Sequence, residues 1–490
     1  MPGFHSSFTP SLSDPETLEA LFVAREPLAR RLLEGIRESA TTANKQQRLL
    51  IGPRGIGKTH LIALLYHRVR ADPELRARLR VAWLPEDPYI AGYGTLLALI
   101  LRKLRQDEDG LERLDERLDQ VLDLADSQAQ EAALERLLLD GLDGRGLLLI
   151  AENLDDLLAA LKDDGQKKLR ALIQNSGRIS ILATSTSLTD ALTERNKTFY
   201  GFFRTQTIEP FGVEEAAALL ARLAQYAGDP DLADAIWSPM GLARVRAVHY
   251  LAGGNPRVYA VFYDFLTRES LDDLVTPFMK LMDELTPYYQ ARMSRLAPLQ
   301  RSILDGLRQL RSAVPVKTIA RHVMSSSQTV STQLGKLVEL GYVIQADSIG
   351  RSNYYELREP LMRLCLEVKE QRGRTVALFI EFLRVWYSRA ELDRLAGDGD
   401  LGALEGAHLR EAAALAATGD DPLRSVFERG YWDHVSAGDY EHALAEIDCA
   451  IARDPNDKAC WRRKADCLKQ LGRPIEEQLA CWKRVTEIDP

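Results

Sequence analysis

Gly52-Pro53-Arg54-Gly55-Ile56-Gly57-Lys58-Thr59 satisfies the pattern G-x-x-x-x-G-K-[ST], and its flanks decide the fold. The apolar run Leu49, Leu50, Ile51 precedes it, and a helical pattern (Leu61, Ile62, Leu64, Leu65) follows. A strand, a glycine turn and a helix in that order let backbone N–H groups close around phosphate oxygens, with the positive end of the helix dipole behind them. The segment Gly52 to His60 is therefore the candidate nucleotide-contacting set for ATP or GTP. Lys58 would reach the β and γ phosphates, and the Thr59 hydroxyl would ligate Mg²⁺.

Outward from this loop the chain alternates strand-like runs with helical patterns. Arg48 to Ile51, Val81 to Leu84, Leu147 to Ala151 and Ile179 to Thr184 each precede a helix or a polar loop. Such alternation predicts a parallel sheet covered by helices on both faces. Residues 105–141 read as a helical, acidic insert whose charges form a solvated face. After Phe211 strand signals stop, and amphipathic helices run to about Leu274.

Residues 283–366 read as three helices and a β-wing. The helices span about Leu299 to Leu310, Val316 to Val323 and Thr329 to Leu340; the strands are Gly341 to Ile344 and Tyr354 to Leu357, around the turn Asp347 to Asn353. Further on, Gly438-Asp439-Tyr440 leads to Asp454-Pro455, and Leu471-Gly472-Arg473 leads to Asp489-Pro490, with glycines 34 and prolines 35 residues apart. That spacing is the tetratricopeptide period, and Trp461 falls at the aromatic position of the second unit. Arrays of this kind need about three units and a cap, so further repeats past Pro490 or a partner over this end are expected.

The predicted organisation is thus multidomain α/β plus α: a tail (1–19), a phosphate-loop domain (20–205), a helical lid (206–275), a winged helix (276–366), a helical connector (367–425) and tetratricopeptide repeats (426–490). A length of 490 residues accommodates several cores. Net charge is −8, which excludes a basic nucleic-acid coat but leaves room for a local positive face. Five cysteines, none in a C-x-x-C pair, argue against a metal or disulfide framework, and the last four are expected to fill repeat cores. No apolar stretch approaches the roughly 20 residues that span a bilayer, and Met1 to Asp14 has no signal pattern, so a cytoplasmic protein without a membrane partner is expected.

Downstream elements narrow the nucleotide reading. Leu147 to Asp156 resembles the second nucleotide-binding strand, whose acidic end holds Mg²⁺ and orients the attacking water. The usual pair there is Asp-Glu, and this chain has Glu152-Asn153; Glu152 remains a metal ligand through water, and either Asp155 or Asp156 replaces Asn153 as base or hydrolysis is slow. Ile179 to Thr186 resembles the sensor-1 strand of AAA+ ATPases, with Ser185 as the polar residue and Thr184 next. Gly253-Gly254-Asn255-Pro256-Arg257 resembles the sensor-2 element of the origin-recognition and STAND branches of that family, placing Arg257 in the first turn of a lid helix. Leu21-Phe22-Val23-Ala24-Arg25-Glu26 resembles the same branches' Phe-Val-Gly-Arg-Glu segment near the adenine, with Ala24 in place of glycine. Arg204, or alternatively Arg195, follows the sensor strand where such ATPases carry an arginine finger.

Across residues 20–366 the order matches the family, and the resemblance implies a slow, ATP- and Mg²⁺-dependent regulatory ATPase. In this reading the repeats sense a protein or peptide, and activation brings homo-oligomerisation, in bacterial signalling or antiviral defence. The alternative is a DNA-associated AAA+ ATPase using Ser325 to Lys336 as a recognition helix and Arg351 in the wing. A third reading keeps the nucleotide as a structural ligand in an interaction scaffold.

Overall fold

The computed structural model describes residues 10–84, 90–107, 114–186, 192, 194–266, 286–287, 289–310, 314–349, 352–359, 362, 380, 383–397, 403–418 and 423–488. The chain divides into two compact units, one spanning Phe8–Glu209 and the other carrying Pro210–Pro490.

The first unit is built on a five-stranded parallel sheet of order β2-β3-β4-β1-β5. Its strands are β1 (Gln47–Ile51), β2 (Leu79–Leu84), β3 (Gly146–Ala151), β4 (Ile179–Ser185) and β5 (Arg204–Thr207). Alternation along each strand sends residues to opposite faces. Leu50, Val81, Leu148, Ile150 and Leu182 join one buried layer with α1 (Pro15–Ala20), α2 (Glu26–Thr41) and α3 (Lys58–Ala71). Leu49, Ile51, Ala82, Leu147, Leu149, Ile181 and Ala183 join the other with α5 (Tyr93–Asp107), α7 (Ser127–Gly141) and α8 (Leu154–Ser176). Both faces are covered, as a parallel sheet requires. The helices α4 (Pro73–Arg78) and α6 (Leu114–Leu122) also belong to this unit.

Two details differ from the sequence reading. Residues expected as a tail contain α1, capped by Asp14, whose carboxylate accepts from Thr17 N–H at 2.8 Å, and anchored by fully buried Leu18. The strand β5, short and polar, has no counterpart among the strands predicted from the sequence. It pairs with β1 from Arg48↔Arg204 to Ile51↔Thr207, so the unit extends to Glu209.

In the second unit, α9 (Val213–Tyr226), α10 (Pro230–Ile236), α11 (Pro239–Ala252) and α12 (Pro256–Leu266) pack together. Gly254, at φ +80°, lies so close to Phe211 that a Cβ would meet the Phe211 carbonyl at 2.6 Å, and Phe211 N–H donates to Gly254 O at 2.9 Å. Then come α13 (Pro298–Leu310), β6 (Val314–Pro315), α14 (Val316–His322), α15 (Ser327–Glu339), β7 (Val343–Ile349) and β8 (Ser352–Leu357), the strands forming an antiparallel sheet of order β6-β8-β7. Arg351 and Cys365 lie outside the described residues.

The chain continues with α16 (Arg389–Ala396) and α17 (Ala403–Thr418). Four more helices then stack in succession: α18 (Arg424–Ser436), α19 (Tyr440–Arg453), α20 (Lys458–Gln470) and α21 (Ile475–Ile488). Gly438 and Gly472, at φ +74° and +65°, form the turns that precede α19 and α21. Cys449, Cys460, Cys467 and Cys481 are buried free thiols among these helices, where small side chains allow close approach. α19 also packs on α11, through an ion pair of Arg246 Nη1 and Glu446 Oε1 at 2.5 Å. Among the described residues, no helix is long and apolar enough to cross a membrane.

Candidate nucleotide site

The strand order explains how distant segments meet. From β1 the chain crosses to the far edge and returns through β3 and β4, so the carboxyl ends of β3, β4 and β1 lie side by side. Ligands of open parallel sheets bind at such a switch point. The phosphate loop leaves β1, Glu152 follows β3, and Ser185 ends β4 beside Ile51.

The loop itself turns on two glycines in the left-handed region, Gly55 at φ +81° and Gly57 at φ +95°. Gly57 precedes α3, so a Cβ there would be strained by conformation and would lie 2.7 Å from Arg25 Nη1. Arg25 reaches over the loop: Nη1 donates to Ile56 O, and Nη2 donates to Glu209 O at 3.0 Å. Lys58 is buried at the first position of α3, and its ammonium donates to Gly52 O at 2.6 Å and Pro53 O at 3.1 Å.

Thr59 and Glu152, 93 residues apart, are in contact: Thr59 Oγ1 donates to Glu152 Oε2 at 2.5 Å. The other carboxylate oxygen accepts from Trp83 Nε1 at 3.0 Å, and the residue is only 5% exposed. A hydroxyl and a carboxylate so arranged are hard oxygen donors, the chemistry that suits Mg²⁺. Asn153 sits at φ 49°, ψ 59°, with its N–H donating to Thr184 Oγ1 at 3.2 Å. Ser185 Oγ donates to Asp155 Oδ1 at 3.1 Å, while Asp156 is exposed. Between the two aspartates left open by the sequence, Asp155 is the one beside the end of β4.

The other candidate residues make different contacts. The His60 ring is committed elsewhere: Nε2–H donates to Leu18 O at 2.9 Å, the ring meets Phe22 edge-on at 5.5 Å, and burial holds its pKa below the ordinary value. Any contact of His60 with phosphate would therefore come from its backbone. Arg204 is exposed at the start of the edge strand β5, and Arg195 is exposed in the preceding loop. Arg257 belongs to the second unit, exposed in the first turn of α12, where its N–H donates to Asn255 Oδ1 at 3.1 Å. Pro53 and Arg54 are half-buried in the loop.

Sequence reasoning assigned no part to Trp83, Arg25 or the Ser185–Asp155 pair. Trp83 lies opposite Ile150 in the parallel register, one strand from Glu152, and only strand pairing reveals that proximity. Arg25 stood in a quoted segment, but its reach to Ile56 O is a tertiary contact.

No family model matches the chain, and no curated protein matches it. Among solved structures, it is similar to the Orc1 protein of Aeropyrum pernix in complex with DNA, at 15% identity over 75% of this chain and 97% of that one, with a TM-score of 0.38. Cdc6p from Pyrobaculum aerophilum is 14% identical over 73% and 97% of the two chains, with a TM-score of 0.37. Drosophila ORC bound to DNA is 14% identical over 72% and 97%, also at 0.37. Scores this far below 0.5 leave the function to be argued from the site itself.

Proposed function

We propose that this chain is an ATP-binding regulatory ATPase of the AAA+ or STAND kind. The contact of Thr59 Oγ1 with Glu152 Oε2 beneath the glycine loop carries the reading, because it joins the loop's hydroxyl to the one acidic residue at the end of β3. Gly52 to Lys58 would cradle the phosphates, with Lys58 exchanging its bonds to Gly52 O and Pro53 O for phosphate oxygens. Thr59 and Glu152 would hold Mg²⁺, which supplies charge neutralisation on the β and γ phosphates. Ser185 would orient the attacking water and Asp155 would accept its proton. Arg257 as a second phosphate sensor, Arg204 as a finger across a homo-oligomer and His60 as a backbone donor complete the proposed set.

The unit formed by α13–α15 and β6–β8 reads as a winged helix, and α18–α21 as two tetratricopeptide repeats that engage a protein or peptide. Nucleotide would then act as a switch, since a ligand shifts an equilibrium only by binding one state better than the other. Bacterial signalling or antiviral defence is the setting this reading favours.

The test is nucleotide titration and turnover. Wild type should bind ATP and hydrolyse it slowly, Lys58→Ala should lose binding, and Glu152→Gln should bind ATP while losing Mg²⁺-dependent turnover. An unchanged rate in Glu152→Gln refutes the metal assignment. A second reading, DNA binding, is favoured by α15, whose Ser327, Gln328, Thr329, Ser331, Thr332 and Lys336 are all exposed on one polar face. Electrostatic affinity there is thin. Salt-sensitive duplex binding lost in Lys336→Ala would favour it.

A further inference from the structure

A second cluster of chemistry lies far along the chain from the nucleotide loop. At the turn between α18 and α19, His434, Asp439 and His442 each offer a ligand atom, and the three atoms lie within 4.8 Å of one another. Asp439 Oδ2 is 2.6 Å from His442 Nδ1 and 3.9 Å from His434 Nδ1. The imidazole rings lie nearly parallel, with centroids 5.3 Å apart.

Backbone geometry fixes this arrangement. Gly438 supplies the left-handed turn, Asp439 N–H donates to His434 O at 2.9 Å, and Asp439 Oδ1 accepts from His442 N–H at 3.3 Å. The helix cap therefore uses one carboxylate oxygen and leaves Oδ2 facing the two rings. A cap with a His–Asp pair accounts for Asp439 and His442. It does not account for His434, whose Nδ1 faces Asp439 while its Nε2 faces Glu446 Oε1 at 3.9 Å. Glu446 is 4% exposed, it pairs with Arg246 of α11, and its Oε2 is buried without a hydrogen-bond partner among the described residues. Metal-binding histidines are held in place by a hydrogen bond from the second ring nitrogen to a carboxylate, and a small rotation of the His434 ring would bring its Nε2 within reach of that bond to Glu446.

We propose that His434 Nδ1, Asp439 Oδ2 and His442 Nδ1 form a site for a divalent transition-metal ion of the zinc class, with Glu446 orienting His434. Two imidazoles and one carboxylate suit Zn²⁺ and its neighbours better than Mg²⁺ or Ca²⁺, which prefer all-oxygen sets. Tetrahedral bonds of about 2.0–2.1 Å set ligand atoms about 3.3 Å apart. Asp439 and His442 would separate slightly and His434 would close slightly, both within side-chain rotation. The fourth position opens to solvent, because Asp439 and His442 are exposed. The ion would pin the end of α18 to the start of α19, directly over the Arg246–Glu446 pair that joins α19 to α11.

The experiment uses the full chain, stripped with chelator and dialysed, then titrated with ZnCl₂ by calorimetry and with CoCl₂ by visible absorption. One equivalent of Zn²⁺ should bind, and Co²⁺ should give the bands of a four-coordinate nitrogen and oxygen site without thiolate charge transfer. Asp439→Asn, which keeps the helix cap, and the double variant His434→Ala/His442→Ala should each weaken Zn²⁺ binding at least ~10-fold, and Glu446→Gln should weaken it ~10-fold with the stoichiometry unchanged. Circular dichroism confirms that each variant is folded. Absence of binding to wild type, a thiolate-type Co²⁺ spectrum, or equal affinity in folded Asp439→Asn overturns the proposal. Lys58→Ala should leave the Zn²⁺ titration unchanged, so this result stands apart from that of the nucleotide site.

Discussion

Ala24 is the place where backbone strain can be read directly. It lies at φ +63°, and Arg25 N–H donates to Val23 O at 2.7 Å, so Ala24 is the centre of a three-residue turn. Turns of this hand are strained for a residue with a Cβ, and left-handed backbone costs a non-glycine residue about 1–2 kcal/mol. Ala24 is exposed, so removing its methyl group loses no packing. Against the gain stands the extra freedom of glycine in the unfolded chain, about 0.4–1 kcal/mol. Ala24→Gly should therefore stabilise the nucleotide-loop unit by about 0.5–1 kcal/mol. For a unit of this size that is a rise in Tm of about 1–4 °C, measured by thermal unfolding with near-UV circular dichroism. The turn delivers Arg25 to Ile56 O, so ATP affinity should stay within about threefold. Ala24→Val, a β-branched residue at positive φ, should lower Tm and weaken ATP binding together. A Gly variant with an unchanged or lower Tm would refute the strain argument, and a stabilised Gly variant with lost ATP binding would refute the role given to the turn.

Two further outcomes follow from the same geometry. Asp155→Asn should slow ATP turnover about 100-fold or more while ATP affinity changes less than about threefold, as expected for removal of a general base; equal turnover would remove Asp155 from the chemistry. His249, whose Nδ1 lies 2.6 Å from Tyr259 Oη, is pushed down to about 4 by burial and then by Arg246, with Glu214 opposing. An unfolded histidine titrates near 6.5, so between about pH 6.5 and 4 the unfolded chain binds a proton that the folded chain refuses. Stability of the second unit should fall by about 2–3 kcal/mol as pH drops through that window and level off below it. Urea unfolding at pH 7 and pH 4.5 measures this, and His249→Gln should flatten the difference.

The legible parts of this chain were those with local causes. Leu49 to Ile51 before a glycine turn, and Leu147 to Ala151 before an acidic end, carried the sheet because an apolar run bounded by turn residues has few other readings. The strand β5 escaped because Arg204 to Thr207 has no apolar face: it is an edge strand held by β1 through its backbone. Helix α1 escaped for a related reason, since Pro15 to Ala20 is too short for a period and reads as helix only through its Asp14 cap and the burial of Leu18. In the proposed site, the glycine turn was legible from its motif, and Gly55 and Gly57 do take left-handed backbone. Trp83 on Glu152 and Ser185 on Asp155 depend on register between strands far apart in sequence, and the His434–Asp439–His442 cluster depends on how one helical turn closes. None of these has a pattern in the linear order.

The residue after Glu152 illustrates how backbone geometry limits chemistry. Where the sequence pattern led to the expectation of an acid, Asn153 occupies φ 49°, ψ 59°. Asparagine enters the left-handed region more readily than glutamate, because its short side chain can bond locally. Restoring an acid there would therefore add backbone strain at the mouth of α8, and the Asn153 N–H is already given to Thr184 Oγ1. Asp155, two residues along, is the carboxylate bonded to the last side chain of β4. Asp155 sits in the first turn of α8. In the proposed switch Asp155 stands in for the acid absent at position 153, and the Asp155→Asn measurement addresses that step directly.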